Sequence, residues 1–419
     1  MDPTSAAPSA DAATGRRVRR RHVLYLSGFD PQGPSHYHAL YAEQAALQSK
    51  VSGDRIDVGP RQRAGRNAAW DVRWQGADGG EPVDTRYEFL RWDDIVRQHW
   101  PRGQMRLLAV TASTTARLLA NGSLWRILQT SWPAFLALSL PASLLLGILV
   151  ALLGLGALAW WVGTQTASWL GVALAVAGIW PLRAWAQRAQ AKVQMAWLMR
   201  SASVVLQQAR GRLPALEERL DQFAMRLCEL VDAPDIDEVL VVGHSSGAVL
   251  AVSVVARALR GDAQLLQRPA SLSLLTLGEC IPLLSYQPEA GSFRQELGVL
   301  RAVLDLNWID VTAPPDGCCF ALIDPTDVCE DGLPDAARRS AGPKRVSPRF
   351  AQCFQPERYQ AVRRDKYRCH FQYLMAVEVP GTYDYFALSA GPRWLADSFA
   401  HQPAVTSFTD FQCFGGPRR

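Results

Sequence analysis

Residues 239–248 read VLVVGHSSGA, an apolar run followed directly by the pattern Gly-His-Ser-Ser-Gly. The residues after Gly247 are mostly apolar and helix-forming, so Ser245 stands between a predicted buried strand and a predicted helix. A sharp turn of this kind needs glycine on both sides, because strand and helix approach too closely for other side chains. The first N–H groups of the helix would point toward Ser245, where an oxyanion forms during acyl transfer. Ser245 is therefore the predicted nucleophile.

A second informative stretch lies between Arg126 and Arg183, where no Asp, Glu, Lys, Arg or His occurs. A membrane-spanning helix needs roughly 20 apolar residues. Residues 135–161 supply one such span and residues 167–182 supply a second, shorter one, with the predicted turn at 163–166. The alternative interpretation is a buried helical hairpin of a soluble protein, or an apolar lid that only dips into a bilayer.

Charged and aromatic residues at the ends of this stretch predict its orientation. Tryptophans lie near the predicted membrane interfaces, as in an aromatic belt: Trp132, Trp160, Trp161, Trp169 and Trp180. Positive residues flank the stretch but are absent from its turn: Arg106, Arg117 and Arg126 before it, and Arg183, Arg188, Lys192 and Arg200 after it. The positive-inside rule then places both chain ends in the cytoplasm. The abundance of alanine, and of arginine over lysine, suggests a bacterial source, hence a two-span protein of the inner membrane.

These features divide the chain into five segments. Residues 1–21 are predicted to form a basic, disordered tail, which either contacts anionic lipid head groups or stays solvated. Residues 22–126 and 233–419 are predicted to be two parts of one domain, because the hairpin at 127–183 returns the chain to the same side of the membrane. A long helical segment, with a break at Pro214, occupies residues 184–232.

Strands and helices alternate in both parts of this domain. The sequence predicts strands at 22–27, 70–74, 87–92, 239–242, 271–277 and 306–311, and helices at 35–48 and 293–303. This alternation predicts an α/β fold with a mostly parallel, doubly wound sheet. Together with the turn at 243–247, the pattern resembles the α/β-hydrolase superfamily, and within it the lipase-like and esterase-like serine hydrolases. The resemblance covers residues 22–48 and 236 to about 375.

The resemblance implies an oxyanion hole built from two backbone N–H groups. One comes from the residue after the nucleophile, which here is Ser246. The other comes from the loop after an early strand, often in a His-Gly-X sequence. The matching residues here are Ser27-Gly28-Phe29, with serine in place of histidine, so Phe29 is the predicted donor and Asp30 is the next candidate.

A serine hydroxyl needs a base, and that base needs an orienting carboxylate. In the superfamily the chain order is Ser, then Asp or Glu, then His. Only two histidines follow the nucleophile turn, and His370 is favoured over His401 by its His-x-x-Tyr context, which is seen in several lipase-like enzymes.

The predicted acid follows the strand at 306–311, because the superfamily places its acid just past such a strand. Asp316 is the first choice and Asp310, inside the strand, is held in reserve. Asp324 and Asp327 lie in the same region and remain open. Each of these aspartates can also be a turn-former, since aspartate near proline or glycine commonly stabilises a turn.

The composition of the chain limits the classes of ligand and partner that we expect it to bind. The net charge of +5 is small for 419 residues and no basic helix is interleaved with aromatics, so no nucleic-acid binding is expected. Eight cysteines without metal-ligand spacing predict free thiols, with no metal site and no cofactor.

The expected function is cleavage of a carboxylic ester, from a lipid or a smaller acyl ester, by a serine hydrolase attached to the lipid bilayer. The alternative is a catalytically inactive membrane scaffold with the same fold, and the sequence does not indicate an oligomeric state.

Overall fold

The computed structural model describes residues 17–193, 195–329, 342–405, 411–412 and 416–417. The first sixteen residues of the predicted tail lie outside this range. The rest of the tail is ordered, because the first strand begins at Arg20. The guanidinium of Arg21 is fully buried and lies 2.7 Å from the Glu238 carboxylate. Arg21 therefore stabilises the sheet and is not available to lipid head groups.

The centre of the fold is one mixed sheet. Its strands are β1 (Arg20–Leu26), β2 (Arg55–Val58), β3 (Gln62–Ala64), β4 (Asn67–Gln75), β5 (Val83–Phe89), β6 (Glu238–His244), β7 (Ser271–Leu277), β8 (Asn307–Val311) and β9 (Lys344–Val346). Their order across the sheet is β2-β4-β5-β1-β6-β7-β8-β9, and β3 also pairs with β4. A separate two-stranded sheet joins β10 (Phe411–Gln412) and β11 (Gly416–Pro417).

The expectation of a mostly parallel sheet holds for only part of it. The six strands from β5 through β1 to β9 run parallel to one another. The strands β2, β3 and β4 are antiparallel to their neighbours. The reason is connection length: β4 and β5 are joined by only a short loop, and a parallel pairing needs a crossover of a dozen or more residues.

Helices and short helical turns account for most of the remaining described chain. Those before β6 are α1 (Pro34–Ser52), α2 (Asp93–Gln98), α3 (Gln104–Ala120), α4 (Ser123–Thr130), α5 (Trp132–Gln165), α6 (Ser168–Val193), α7 (Met195–Ala209) and α8 (Pro214–Val231). Those after β6 are α9 (Ser246–Gly261), α10 (Ile281–Ser285), α11 (Gly291–Ala302), α12 (Phe350–Cys353), α13 (Pro356–Arg364), α14 (Lys366–Phe371), α15 (Tyr385–Ala390) and α16 (Leu395–Ser398).

Apolar side chains of β6 face both sides of the sheet. Val239 and Val241 belong to a core formed largely with α8, α9 and α11. Leu240 and Val242 belong to a second core, which includes residues of α1 and of the chain after β9. Alternate residues of a strand point to opposite faces, so a strand covered on both faces reads as a continuous apolar run. That is the reason for the sequence VLVV.

Two helices are long and apolar enough to cross a membrane, over Trp132–Gln165 and Ser168–Ala189. Only 11 % of the most apolar window of each is buried, whereas a core helix of a soluble protein would be mostly buried. The turn between them is shorter than predicted: α5 continues through residues 163–165, leaving Thr166 and Ala167 as the connection. In the chain these helices lie between β5 and β6, yet β1 pairs directly with β6. Both flanks of the hairpin therefore contribute to one sheet.

The predicted helix ends shift slightly in the structure. Helix α1 begins at Pro34, after Gly33, so Ser35 is inside the helix and does not cap it. The break at Pro214 is observed as the start of α8, because proline is tolerated in a first helical turn. Helices α3 and α4, which lead into α5, were not predicted.

Candidate active site

Ser245 occupies a strained turn between β6 and α9. Its backbone angles are φ 58° and ψ −125°, in a region that residues other than glycine rarely adopt. A backbone hydrogen bond to the neighbouring strand holds the turn: the Ser245 N–H donates to the carbonyl of Leu277, at the end of β7, over 2.9 Å. A side chain at Gly247 would overlap the Leu26 and Ser27 carbonyl oxygens, and one at Gly243 would collide with Ala248. Both glycines of the motif are therefore required by close packing.

His370 and Asp316 form a buried pair. His370, in α14, places Nδ1 2.8 Å from Oδ2 of Asp316, and both side chains have no solvent exposure. Because a carboxylate accepts, Nδ1 carries the proton and donates it in this hydrogen bond. Nε2 is then the basic nitrogen, and it is buried without a hydrogen-bond partner among the described residues. An imidazole oriented in this way can accept a proton from a nucleophile.

Three donors converge on the Asp316 carboxylate. Besides His370, the Tyr373 hydroxyl donates to Oδ2 over 3.1 Å and the Cys318 N–H donates to Oδ1 over 2.9 Å. Burial acts to raise the pKa of Asp316, but His370 and the hydrogen bonds hold it below its ordinary value. Asp316 is therefore an ionised carboxylate that can stabilise an imidazolium.

His244, the residue before Ser245, contacts both the backbone and the ring of His370. Its Nε2 lies 2.8 Å from the carbonyl oxygen of His370, and the two imidazole centroids are 4.9 Å apart. Burial, with His370 close by, lowers the pKa of His244 to about 3. A neutral ring that donates through Nε2 has no proton on Nδ1, which has no described partner. His244 therefore positions His370 as a neutral hydrogen-bond donor.

Ser245 and Cys280 line the same small cavity. The Sγ of Cys280 donates to Ser246 Oγ over 3.7 Å. Burial raises the pKa of Cys280 to about 12, so the thiol is neutral. No hydrogen bond joins Ser245 to His370 among the described residues. Catalytic hydrogen bonds commonly shorten only when substrate binds.

The loop at residues 27–30 packs against the nucleophile. A Cβ at Gly28 would lie 3.0 Å from the Cβ of Ser245, so only glycine lets the loop come this close. Phe29 N–H has no acceptor among the described residues, and Ser246 N–H, at the start of α9, has no intrahelical acceptor. The Asp30 N–H already donates to the Gly28 carbonyl over 2.7 Å, so the structure favours Phe29 over Asp30 as the candidate oxyanion donor.

Helix α7 brings residues to the site that the sequence patterns did not indicate. The indole Nε1 of Trp197 donates to the carbonyl of Phe29 over 3.0 Å, and its ring lies 5.5 Å from that of His370. Ser201 Oγ lies 3.1 Å from Ser246 Oγ. Trp197 therefore connects the loop at residues 27–30 to His370. These contacts join residues far apart in the chain, and no local spacing predicts them.

The reserve residues lie elsewhere. Asp310 is buried inside β8, where it accepts a hydrogen bond from Thr276 over 2.7 Å, so it does not orient His370. Asp324 accepts from Thr326 over 2.6 Å and lies 3.9 Å from Arg345. His401 is exposed and contributes to none of the site contacts described above.

A pair of buried acids lies next to the site. Burial raises the pKa of Asp310 to about 7 and raises the pKa of Glu279 well above its ordinary value. Oδ2 of Asp310 and Oε1 of Glu279 have no hydrogen-bond partners among the described residues. The charges of the two carboxylates repel each other, so protonation of these groups is favoured in the folded state.

Potential metal ligands also meet at this site. The ligand atoms of Asp316, Cys318 and His370 lie within 4.8 Å of one another. However, Nδ1 of His370 and both carboxylate oxygens of Asp316 already participate in hydrogen bonds. Their geometry is that of an acid orienting a base.

Comparison with known proteins identifies no family for this chain, because no family model, no curated protein and no solved structure matches it.

Proposed function

We propose that this chain is a membrane-anchored serine hydrolase of the α/β-hydrolase type, which cleaves a carboxylic ester through an acyl-enzyme on Ser245. The observation that carries the proposal is the buried hydrogen bond between His370 Nδ1 and Asp316, beside a serine held in a strained turn. Strained backbone persists only where the surrounding structure enforces it, and it is concentrated at functional sites.

The proposed reaction begins when the Ser245 hydroxyl attacks the ester carbonyl carbon. His370 Nε2 takes the hydroxyl proton, and Asp316 stabilises the resulting imidazolium. The carbonyl oxygen becomes an oxyanion, which accepts hydrogen bonds from the N–H groups of Phe29 and Ser246. When the intermediate collapses, the carbon–oxygen bond to the alcohol breaks and His370 gives its proton to the departing oxygen.

Water completes the cycle. His370 removes a proton from a water molecule, whose oxygen attacks the acyl carbon bound to Ser245. The bond from this carbon to the serine oxygen then breaks, the carboxylic acid leaves, and the imidazolium returns its proton to Ser245. No metal and no cofactor takes part in the proposed steps.

The membrane part of the proposal rests on the outer surface of α5 and α6. Helix α5 has 34 residues and is therefore about 51 Å long, which exceeds a bilayer core of about 30 Å. Tryptophans near the hairpin ends are largely exposed, as in an aromatic belt: Trp132, Trp160, Trp161, Trp169 and Trp180. With positive residues only outside the hairpin, we place both chain ends on the cytoplasmic side of a bacterial inner membrane.

Labelling with a fluorophosphonate tests the enzymatic proposal, because such probes react covalently with an activated serine. We expect the full chain in detergent or vesicles to be labelled, and Ser245→Ala to remain unlabelled. Ser113→Ala, which alters an exposed serine of α3, is the matched control and should label like the wild type. A folded wild type that fails to react, or a reactive Ser245→Ala, would contradict the proposal.

The second candidate is a catalytically inactive membrane scaffold. The observation in its favour is that no hydrogen bond joins Ser245 to Nε2 of His370, which has no partner among the described residues. The same labelling experiment separates the two candidates, since a scaffold would not react with the probe.

A further inference from the structure

A small cavity lies directly over Ser245. One wall comes from α5 and α7, and the opposite wall comes from the residues around Cys280 and Cys318. The lining residues carry no charge: Ala134, Ala137, Leu138, Trp197, Leu198, Ser201, Ala202, Ser245, Cys280, Leu283, Gly317, Cys318 and Phe320. Such a lining favours an apolar group, because a charged or strongly polar group would lose its hydration without gaining partners.

The α5 wall of this cavity belongs to the first apolar hairpin helix. Ala134, Ala137 and Leu138 have helical spacing and lie on one face of α5. Farther along the same helix, side chains such as Leu146 and Leu153 are more than 60 % exposed. An apolar surface therefore continues along one helix from the catalytic serine to the part of the chain that we place in the bilayer.

The volume of the cavity limits how much of an acyl group it can hold without movement of its walls. Its volume is about 40 Å³, and about 10–15 Å³ measured in the same way is enough for one water molecule. Only the first carbons of an acyl group fit without movement of the walls. Ala137 and Leu198 are half-buried, whereas Cys280 and Phe320 are buried in the protein core. A longer chain therefore leaves the cavity between α5 and α7.

We infer that the substrate is a long-chain acyl ester dissolved in the bilayer, and that its acyl chain reaches Ser245 along the contact between α5 and α7. This inference rests on the proposed hydrolase function and names the substrate class. An apolar path lets the acyl chain pass from the bilayer to Ser245 without entering water, where each exposed methylene would cost about fourfold in binding. Blocking this path should therefore lower hydrolysis of a long-chain ester more than that of a short-chain ester.

The test compares umbelliferyl acetate with umbelliferyl palmitate, using the full chain in phosphatidylcholine vesicles. Ala137→Trp places a large side chain on the cavity wall, and we expect it to lower the palmitate-to-acetate ratio of kcat/KM at least about tenfold. Ala137→Leu should give a smaller decrease in the same direction. Leu136→Trp is the matched control, because Leu136 is the preceding residue of α5 and is 45 % exposed. It should keep the ratio within about twofold.

The ratio removes the effect of palmitate partitioning into the vesicles, because all variants share it. Acetate hydrolysis also reports whether each variant is folded. Equal ratios for wild type, Ala137→Trp, Ala137→Leu and Leu136→Trp would overturn the inference while leaving the hydrolase proposal intact. So would a wild type that hydrolyses acetate but not palmitate. A wild type that hydrolyses neither ester and does not react with a fluorophosphonate would overturn both.

Discussion

The Nε2 nitrogen of His244 donates a hydrogen bond to the backbone carbonyl of His370, 2.8 Å away. This bond joins the end of β6 to the segment that carries His370, the proposed base. Replacing His244 with Phe removes the donor and leaves a buried carbonyl without its partner, at a cost of about 1 kcal/mol. We expect kcat for umbelliferyl acetate to decrease about fivefold, with little change in KM. Recovery of kcat in His244→Gln, which restores a side-chain donor, would distinguish positioning from a loss of packing.

The two candidate acids should differ sharply in their effect on rate. Asp316→Asn removes the charge that stabilises the imidazolium and orients His370, and we expect kcat to decrease about 10⁴-fold. Asp310→Asn should leave kcat within about twofold, because Asp310 contacts Thr276 and not His370. Steady-state hydrolysis of umbelliferyl acetate measures both. A larger loss in Asp310→Asn than in Asp316→Asn would reverse the assignment.

The two candidate bases, His370 and His401, should also differ in their effect on rate. His370→Ala should lower kcat by about 10³-fold or more, since no other described histidine can take its place. His401→Ala should behave like the wild type, because His401 is exposed and makes none of the site contacts described above. Equal and mild losses in the two variants would remove His370 from the mechanism.

Trp197 should affect turnover more than binding of a short ester. Trp197→Phe loses the indole N–H that holds the Phe29 carbonyl, while a ring remains near His370. We expect kcat to decrease about fivefold, consistent with a hydrogen bond worth about 1 kcal/mol, while KM for the acetate stays nearly constant. Trp125→Phe, at an exposed tryptophan of α4, is the control. A change confined to KM would show that Trp197 only lines the cavity.

Asp310 should make stability depend on pH. Its pKa is raised from 3.8 to about 7 by burial, so its contribution is complete below pH 4 and is lost as the pH rises to about 7. Asp310→Asn keeps the side-chain oxygen that Thr276 contacts and removes the charge. We expect it to be more stable than the wild type by about 1–3 kcal/mol at pH 8, with a smaller gain at pH 5. Thermal unfolding in detergent at the two pH values measures the difference, and a gain that decreases with pH would contradict the sign.

The placement of the hairpin can be tested with a membrane-impermeant thiol reagent. In intact cells Thr164→Cys, near the exposed turn, should react from outside, whereas Ser113→Cys on α3 should react only after lysis. The wild type sets the background, and its described cysteines are buried or half-buried. Reaction of both variants, or of neither, in intact cells would reject two spans with cytoplasmic ends.

The sequence predicted those parts of the site that depend on short-range constraints. The turn at Ser245 needs glycine on both sides within five residues, so it can be located from the local pattern. Asp316 lies a few residues past its strand, where the resemblance to α/β-hydrolases implies an acid. His370 was found because few histidines follow Ser245 in the chain. The structure brings His370 and Asp316 together as this reasoning expected.

Long-range packing explains what the sequence did not predict. Trp197 reaches Phe29 across 168 positions of the chain, and Tyr373 reaches Asp316 across 57. Trp197 has no neighbouring motif, and the His-x-x-Tyr pattern that includes Tyr373 does not indicate a contact with Asp316. The strand at 70–74 was predicted, but its antiparallel direction was not. Strand direction depends on the lengths of the connections, and these were unknown because β2 and β3 were not predicted.

The pairing of β1 with β6 also has a consequence for synthesis of the chain. Arg21 in β1 can form its ion pair only after Glu238, which lies 217 positions later in the chain, has been synthesised. At about 5–20 residues per second, the ribosome needs roughly 10–40 s to supply the second strand. Throughout that interval one edge of β1 has no partner strand, and the most apolar helices of the protein leave the ribosome before the partner arrives. Delivery of the hairpin to a membrane during translation would therefore protect the nascent protein from aggregation as well as anchor the finished one.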